Sequence, residues 1–211
     1  MIAVDGPAGA GKSAVGRRVA AALGLPFVDS GMYYRAVAWL ALEDGVAPAD
    51  TERLVAIASR PELRADGERI LAGDRDLTDL IHRPEINSNL SAVSQVPELR
   101  DAINRRQRLL AGRGVVMAGR DIGTVVLPGA DHKFFLTASL EERVRRRLAQ
   151  KAKRGEHADP AEMEREIAAR DVADSTRLVA PLRPASDAEL IDTGGLDVEQ
   201  VVARILERVR R

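Results

Sequence analysis

Residues 2–20 read IAVDGPAGAGKSAVGRRVA, and how that stretch is understood decides the fold. An apolar run, Ile2 to Asp5, passes directly into GPAGAGKS at 6–13 and then into Val15, Val19, Ala22 and Leu23 at helical spacing. The octapeptide satisfies G-x-x-x-x-G-K-[ST] through Gly6, Gly11, Lys12 and Ser13. Successive backbone amides can converge on one anion only where side chains are absent from the tight places. The segment Gly6, Pro7, Ala8, Gly9, Ala10, Gly11, Lys12, Ser13 and Ala14 is therefore expected to cradle the phosphates of a nucleoside triphosphate such as ATP. Lys12 is placed to reach the β- and γ-phosphates and Ser13 to offer its hydroxyl to Mg²⁺. The helix that follows points its positive end at the same anion.

Working outward, strand and helix signals alternate along the chain, the pattern of a parallel sheet covered on both faces. Five short apolar runs read as buried strands: 2–5, 26–29, 114–118, 132–138 and 189–193. The last helix is the clearest, with Val198, Val201, Val202, Ile205, Leu206 and Val209 on one face and Asp197 with Gln200 as a capping box. Ser139 with Glu142, and Asp159 with Pro160 and Glu162, mark two more helix starts. The polar stretch QKAKRGEHAD between them reads as a loop. Residues 62–78 break the rhythm, since Asp66-Gly67 and Gly73-Asp74 are turn signals flanking short alternating runs. They predict a small antiparallel insert separate from the main sheet. The expected fold is α/β, a P-loop NTPase-like three-layer arrangement with a five-stranded parallel core sheet, that insert and a short lid.

Composition narrows the function. Thirty-two basic residues balance 32 acidic ones over 211, aromatic content is 3%, and there is no cysteine. A near-zero net charge argues against bulk nucleic-acid binding, and so few aromatics argue against single-strand stacking platforms. Despite NRRQR and RVRRR, an RNA-acting ATPase module is the weaker reading. The absence of cysteine suits a reducing compartment, and neither a secretory signal nor an apolar run long enough for a membrane is present. A cytoplasmic monomer with no nucleic-acid or membrane partner is the expectation. GTPase switches carry N-K-x-D for guanine, a tetrapeptide missing here.

A kinase needs a second anion site facing the first. Ligands of open α/β sheets lie outside the carboxyl ends of the strands, and several polar residues should emerge there: Ser30, Tyr34 and Arg35 in DSGMYYR, and Arg120 with Asp121 in GRDIGT. Arg100, Arg170, Asp174 and Arg177 occur in segments that could close over the same cleft. Guanidinium groups bind phosphate oxygens two at a time, which favours arginine for this task. The three histidines, His82, His132 and His157, are scattered and pair with no carboxylate in the sequence pattern.

DGPAGAGKS, DSGMYYR, GRDIGT and RD..DS.R followed by APL, in this order and at these separations, resemble the bacterial cytidylate kinase family of nucleoside monophosphate kinases. The resemblance runs from about residue 2 to 193. It implies a single domain over 1–211, a monophosphate-binding region at about 30–112 that includes the insert, and a lid at about 151–160. It implies transfer of the γ-phosphoryl of ATP, with Mg²⁺, to CMP or dCMP. Carried over by position, Lys12, Arg120 and Arg170 would be catalytic. Ser30, Arg35, Arg120 and Arg170 would hold the acceptor phosphate, Ser91, Arg100 and Asp121 would read the cytosine edge, and Asp174 with Arg177 would hold the ribose. Tyr34 would pack beside the acceptor. Ala118 stands where relatives often have an acidic residue, with Asp5 the nearest substitute, and Ala173 stands where some have an arginine. Another acceptor, such as UMP, shikimate or dephospho-coenzyme A, is the alternative.

Overall fold

The first apolar run forms β1 (Ile2–Asp5), every residue of which is buried, and the computed structural model places it at the centre of a five-stranded sheet. The structure describes residues 1–66, 69–112, 114–153 and 155–210. β2 (Phe27–Asp29), β6 (Val116–Ala118), β7 (His132–Thr137) and β8 (Glu189–Asp192) complete that sheet in the order β2-β6-β1-β7-β8. All pairings are parallel, with Ile2 opposite both Val116 and His132. Because every strand runs the same way, Asp5, Asp29, Ala118 and Thr137 end at one edge. The chain travels to one side of β1 to reach β2 and to the other to reach β7, so the order reverses beside β1, where such sheets bind ligands.

Helices cover both faces. α1 (Lys12–Leu23) and α8 (Val198–Val209) press Val15, Val19, Val201, Val202 and Ile205 onto Val4, Val116, Phe134 and Ile191. Ala20 is buried on α1 and Ala22 is exposed, so the inward face sits slightly off the spacing read from sequence. The Asp197 side chain accepts from Gln200 N while Gln200 reaches back, the expected capping box. On the opposite face Ala3, Val28 and Met117 meet Ala111 of α5 (Pro97–Ala111) and Ile122 with Val126 of a π-helical turn at 122–126. That turn follows GRD and was not legible as helix.

A second core joins α2 (Ser30–Glu43), α3 (Thr51–Ser59), α4 (Pro84–Val93) and α5 to the insert. The insert is the three-stranded antiparallel sheet β3 (Leu63–Asp66), β4 (Arg69–Ala72) and β5 (Arg75–Asp76). Leu63 and Ile70 bury its inner side, and the Ala65 amide donates to the Tyr33 hydroxyl at 3.0 Å. The Gly73-Asp74 turn lies between β4 and β5 as expected; Gly67 of the other lies outside the described residues. α6 (Leu140–Lys153) and α7 (Pro160–Thr176) pack through Val144, Met163 and Ile167. The Glu142 amide donates to Ser139 Oγ, but the Glu142 carboxylate turns to Arg145 and Arg146. Asp159 caps α7 through the Ala161 amide, leaving Glu162 outside any box.

Candidate phosphate and nucleotide cleft

The loop after β1 has a shape that only its glycines permit. Gly6 takes φ +145, and a Cβ there would lie 2.0 Å from the Leu136 carbonyl oxygen of the neighbouring strand. Gly11 adopts a left-handed conformation, φ +89, and hands the chain into α1. Carbonyls of the loop are tied outward: Arg143 donates to the oxygens of Ala8 and Ala138 and pairs with Asp171 at 2.6 Å. Among the described residues no hydrogen bond uses the amides of Gly9 or Gly11. Those donors, with the start of α1, make an anion cradle. Lys12 is buried, with Nζ 2.7 Å from the Pro7 oxygen. Burial and the nearby Arg120 hold its ammonium well below the ordinary lysine range, an arrangement relieved by an arriving anion.

Two carboxylates stand beside the loop at the sheet edge. Asp29 ends β2, accepts from Ser13 Oγ at 2.6 Å with one oxygen and caps α2 through the Gly31 amide with the other. Asp5 ends β1 and accepts from the amides of Ile122 and Gly123 at 2.8 and 2.7 Å. Burial pushes its carboxyl up to about 6 despite those two bonds.

Opposite Lys12 the arginines converge. Arg35 is depressed to about 10, first by burial and then by repulsion from Arg147 and Arg120. Arg170 is also depressed to about 10, by burial and by Arg120, Arg35 and Arg147. Arg120 and Arg147 likewise act on Lys12. Burial and the neighbouring cations thus act together on Lys12, Arg35 and Arg170, with Arg120 and Arg147 among the neighbours of all three, and a basin of that kind suits a polyanion. Arg35 also donates to the Ile81 oxygen at 3.2 Å, tying the basin to the insert side. Of the arginines at 143–147, Arg143 and Arg146 are turned to backbone carbonyls and Arg145 to Glu142; Arg147 acts on the basin. Arg154 lies outside the described residues.

A second constellation lies deeper. Arg100 and Asp121 form a fully buried pair at 2.6 Å, and Arg100 also donates to the Ser94 oxygen and lies over the Tyr34 ring. Arg177 stands 3.6 Å from both Asp121 and Asp174, and Asp174 accepts from Arg120 Nε at 2.8 Å. Arg120 and its neighbours overcome burial and hold the Asp174 carboxyl below the usual range. Tyr34 Oη, Arg100 Nε and Arg177 Nη2 are buried and have no hydrogen-bond partner among the described residues. Buried polar atoms are ordinarily paired, so three orphans around one carboxylate define a slot for a polar planar group.

The structure thus brings together Lys12, Arg35, Arg120 and Arg170 at one end and Tyr34, Arg100, Asp121, Asp174 and Arg177 at the other. Ser30 begins α2 at the same edge, and its hydroxyl is held by Gln107 Nε2 at 3.0 Å. Ser91 is exposed on α4, its backbone oxygen accepts from the side chains of Ser94 and Gln95, and among the described residues its hydroxyl makes no hydrogen bond to Arg100 or Asp121. Sequence reasoning missed Asp29 and Gln107. Asp29 had a signal, a carboxylate at the end of a strand immediately before Ser30; Gln107, far along a helix, had none.

The family model described as cytidylate kinase matches residues 2–211. A cytidylate kinase of Caldanaerobacter subterraneus subsp. tengcongensis is 46% identical over 211 residues, spanning 100% of this chain and 94% of that protein. One of Pelotomaculum thermopropionicum is 48% identical over 215 residues, spanning 99% and 95%. A solved shikimate kinase of Bacteroides thetaiotaomicron superposes with a TM-score of 0.50 at 13% identity, over 100% of this chain and 98% of its own. At that identity the likeness concerns the fold alone.

Proposed function

The chain belongs to the cytidylate kinase family, and from that premise we propose that it transfers the γ-phosphoryl group of ATP to the phosphate of CMP or dCMP, giving ADP and CDP or dCDP. What supports the site assignment is the buried Lys12 held over the glycine loop together with Arg120, fixed on Asp174 and near enough to act on Lys12, Arg35 and Arg170 alike. ATP occupies the loop from Gly6 to Ala14. The acceptor lies with its phosphate toward Ser30, Arg35, Arg120 and Arg170, its ribose on Asp174 and Arg177, and its base in the slot of Tyr34, Arg100 and Asp121. A shikimate or dephospho-coenzyme A acceptor is disfavoured, because neither explains a buried Arg–Asp pair ringed by unpaired donors.

Chemistry here is positioning and charge compensation. A phosphate monoester has a second pKa of about 6, so the acceptor is mostly dianionic at neutral pH and needs no general base. The barrier is the approach of two polyanions. Lys12 and the arginines offset that repulsion and stabilise charge spread over the equatorial oxygens of the transferring group. Burial strengthens each of these interactions, and the rigid placement of Arg120 on Asp174 fixes the approach. Mg²⁺ belongs to the same reading. Ser13 and the neighbouring Asp29 and Asp5 offer only oxygen donors, which suits that ion, and when bound it neutralises charge on the β- and γ-phosphates.

Residues 30–112 form the monophosphate-binding part of a single domain over 1–211, and closure of the segment at 151–160 excludes water and brings Arg147 onto the phosphates. No helix among the described residues is long and apolar enough to cross a membrane. A cytoplasmic monomer acting on small nucleotides without nucleic acid completes the reading, on the support of balanced charge and absent cysteine. The test is steady-state ADP formation with CMP, dCMP, UMP and AMP side by side, with Lys12→Ala as the blank. CMP and dCMP should lead by kcat/KM, and equal turnover of AMP or UMP would overturn the assignment.

A further inference from the structure

Helix α5 has two working faces. Arg100, Asn104 and Gln107 lie along the one turned to the nucleotide cleft. About half a turn away, Ala102, Arg105, Arg106 and Leu109 line a separate cavity of about 360 Å³ between α5, α3 and β3. That volume falls within the range of small-ligand pockets. Tyr33 and Leu63 are buried beneath it, Pro61, Leu109 and Leu110 offer apolar surface around it, and no acidic side chain lines it. Arg64, Arg105 and Arg106 stand around it. Arg106 is anchored to the Arg60 oxygen at 2.7 Å. Arg64 and Arg105, both exposed, make no hydrogen bond or ion pair among the described residues. In the same lobe Arg60 and Arg75 are paired with Asp44 and Glu43. Leu109 is 84% exposed at the rim, an apolar side chain with nothing to cover it.

An apolar hollow flanked by guanidinium groups without carboxylate partners matches one kind of occupant. We propose that this cavity binds a small amphipathic anion, whose compact apolar body rests on Pro61, Leu109 and Leu110 and whose single carboxylate, sulfonate or phosphate pairs with Arg64 and Arg105. The net charge of the chain is zero, so these cations reflect local placement and not a generally basic surface. The small volume favours a small molecule over a peptide or a second subunit.

The probe is 8-anilinonaphthalene-1-sulfonate, an aromatic body with one sulfonate, titrated into the intact enzyme. One saturable site is expected, unaffected by saturating ATP and CMP. Affinity should fall about tenfold or more in the Arg64→Glu, Arg105→Glu double variant, a loss of the size expected from removing charge-assisted bonds. Leu109→Ser should weaken it a few-fold. All three positions are exposed and none belongs to the nucleotide cleft, so kcat and KM for CMP should match the wild type. Displacement of the dye by nucleotide, equal affinity in the charge-reversed variant, or non-saturating binding would overturn the proposal. So would a signal per molecule that falls as protein concentration rises, which would mark a second copy as the true occupant.

Discussion

Asp121→Asn isolates the reading of the base. Oδ2 of Asp121 is committed to Arg100 at 2.6 Å, and Oδ1, 3.6 Å from Arg177, is the oxygen left to accept from the exocyclic amine of cytosine. An amide at this position keeps the Arg100 bond only by turning its oxygen that way, which puts an NH₂ donor where Oδ1 stood. That donor opposes the cytosine amine and suits the corresponding carbonyl of uracil. Losing a charge-assisted bond and facing donor against donor should cost CMP about 1.5–3 kcal/mol, or about 10- to 100-fold in kcat/KM. UMP should gain in the same sense, so the CMP-to-UMP ratio should shift by about two orders of magnitude. The substitution also leaves the buried Arg100 and Arg177 less neutralised, and the fold should lose about 3–5 kcal/mol, or about 6–20 °C in Tm. The assay is coupled ADP release with both acceptors at a temperature well below the variant's Tm, with KM for ATP as control. A folded variant whose CMP-to-UMP ratio equals the wild type would refute base reading by Asp121.

Two further outcomes follow from groups that touch no base. Gln107→Leu removes the partners of the Ser30 hydroxyl and carbonyl, and should raise KM for CMP about fivefold, roughly 1 kcal/mol, while KM for ATP stays put; Gln107→Glu, which has no amide hydrogens to donate and sets a carboxylate against the Ser30 carbonyl, should not restore it, and an effect confined to kcat would remove Gln107 from the positioning of Ser30. Burial raises Asp5 from 3.8 to about 6, so its contribution to stability is fully present below about pH 4 and lost as pH rises through 6. Measured by urea unfolding against Asp5→Asn, which has no such titration, the wild type should lose about 3 kcal/mol relative to the variant between pH 4 and 7, and a parallel pair of curves would show that Asp5 titrates normally.

The core sheet was legible because its causes are local. Each strand is a short apolar run bounded by turn residues, and the structure returns all five within two residues of their expected ends. The cradle was legible for the same reason, since Gly6, Gly11, Lys12 and Ser13 follow one another in sequence. Strand order was not written in any run, nor was the π-helical turn after GRD, which is held by Asp5 accepting from Ile122 and Gly123 across 117 residues or more of chain. Gln107 escaped because a buried glutamine gives no periodic signal, and its meaning appears only where α5 crosses Ser30.

The arginines occupy a middle ground that explains what sequence can and cannot say about a phosphate site. RVRRR looks like one wet helix face, yet its members part ways: Arg143 braces the Ala8 carbonyl, Arg145 answers Glu142 at the surface, Arg146 holds Thr193, and Arg147 acts on Lys12 and Arg170. Residue type gave no means of sorting them, because each has the same charge and reach. Their partners sort them. Arg143 and Arg146, whose forks are filled by backbone carbonyls and side chains, shape the protein. For Arg35 and Arg170 burial first, and the neighbouring cations after it, outweigh their nearby carboxylates, so both stand to gain when phosphates arrive. Binding of either polyanion should therefore ease the arrangement of charges that the other must meet, while their direct repulsion opposes it.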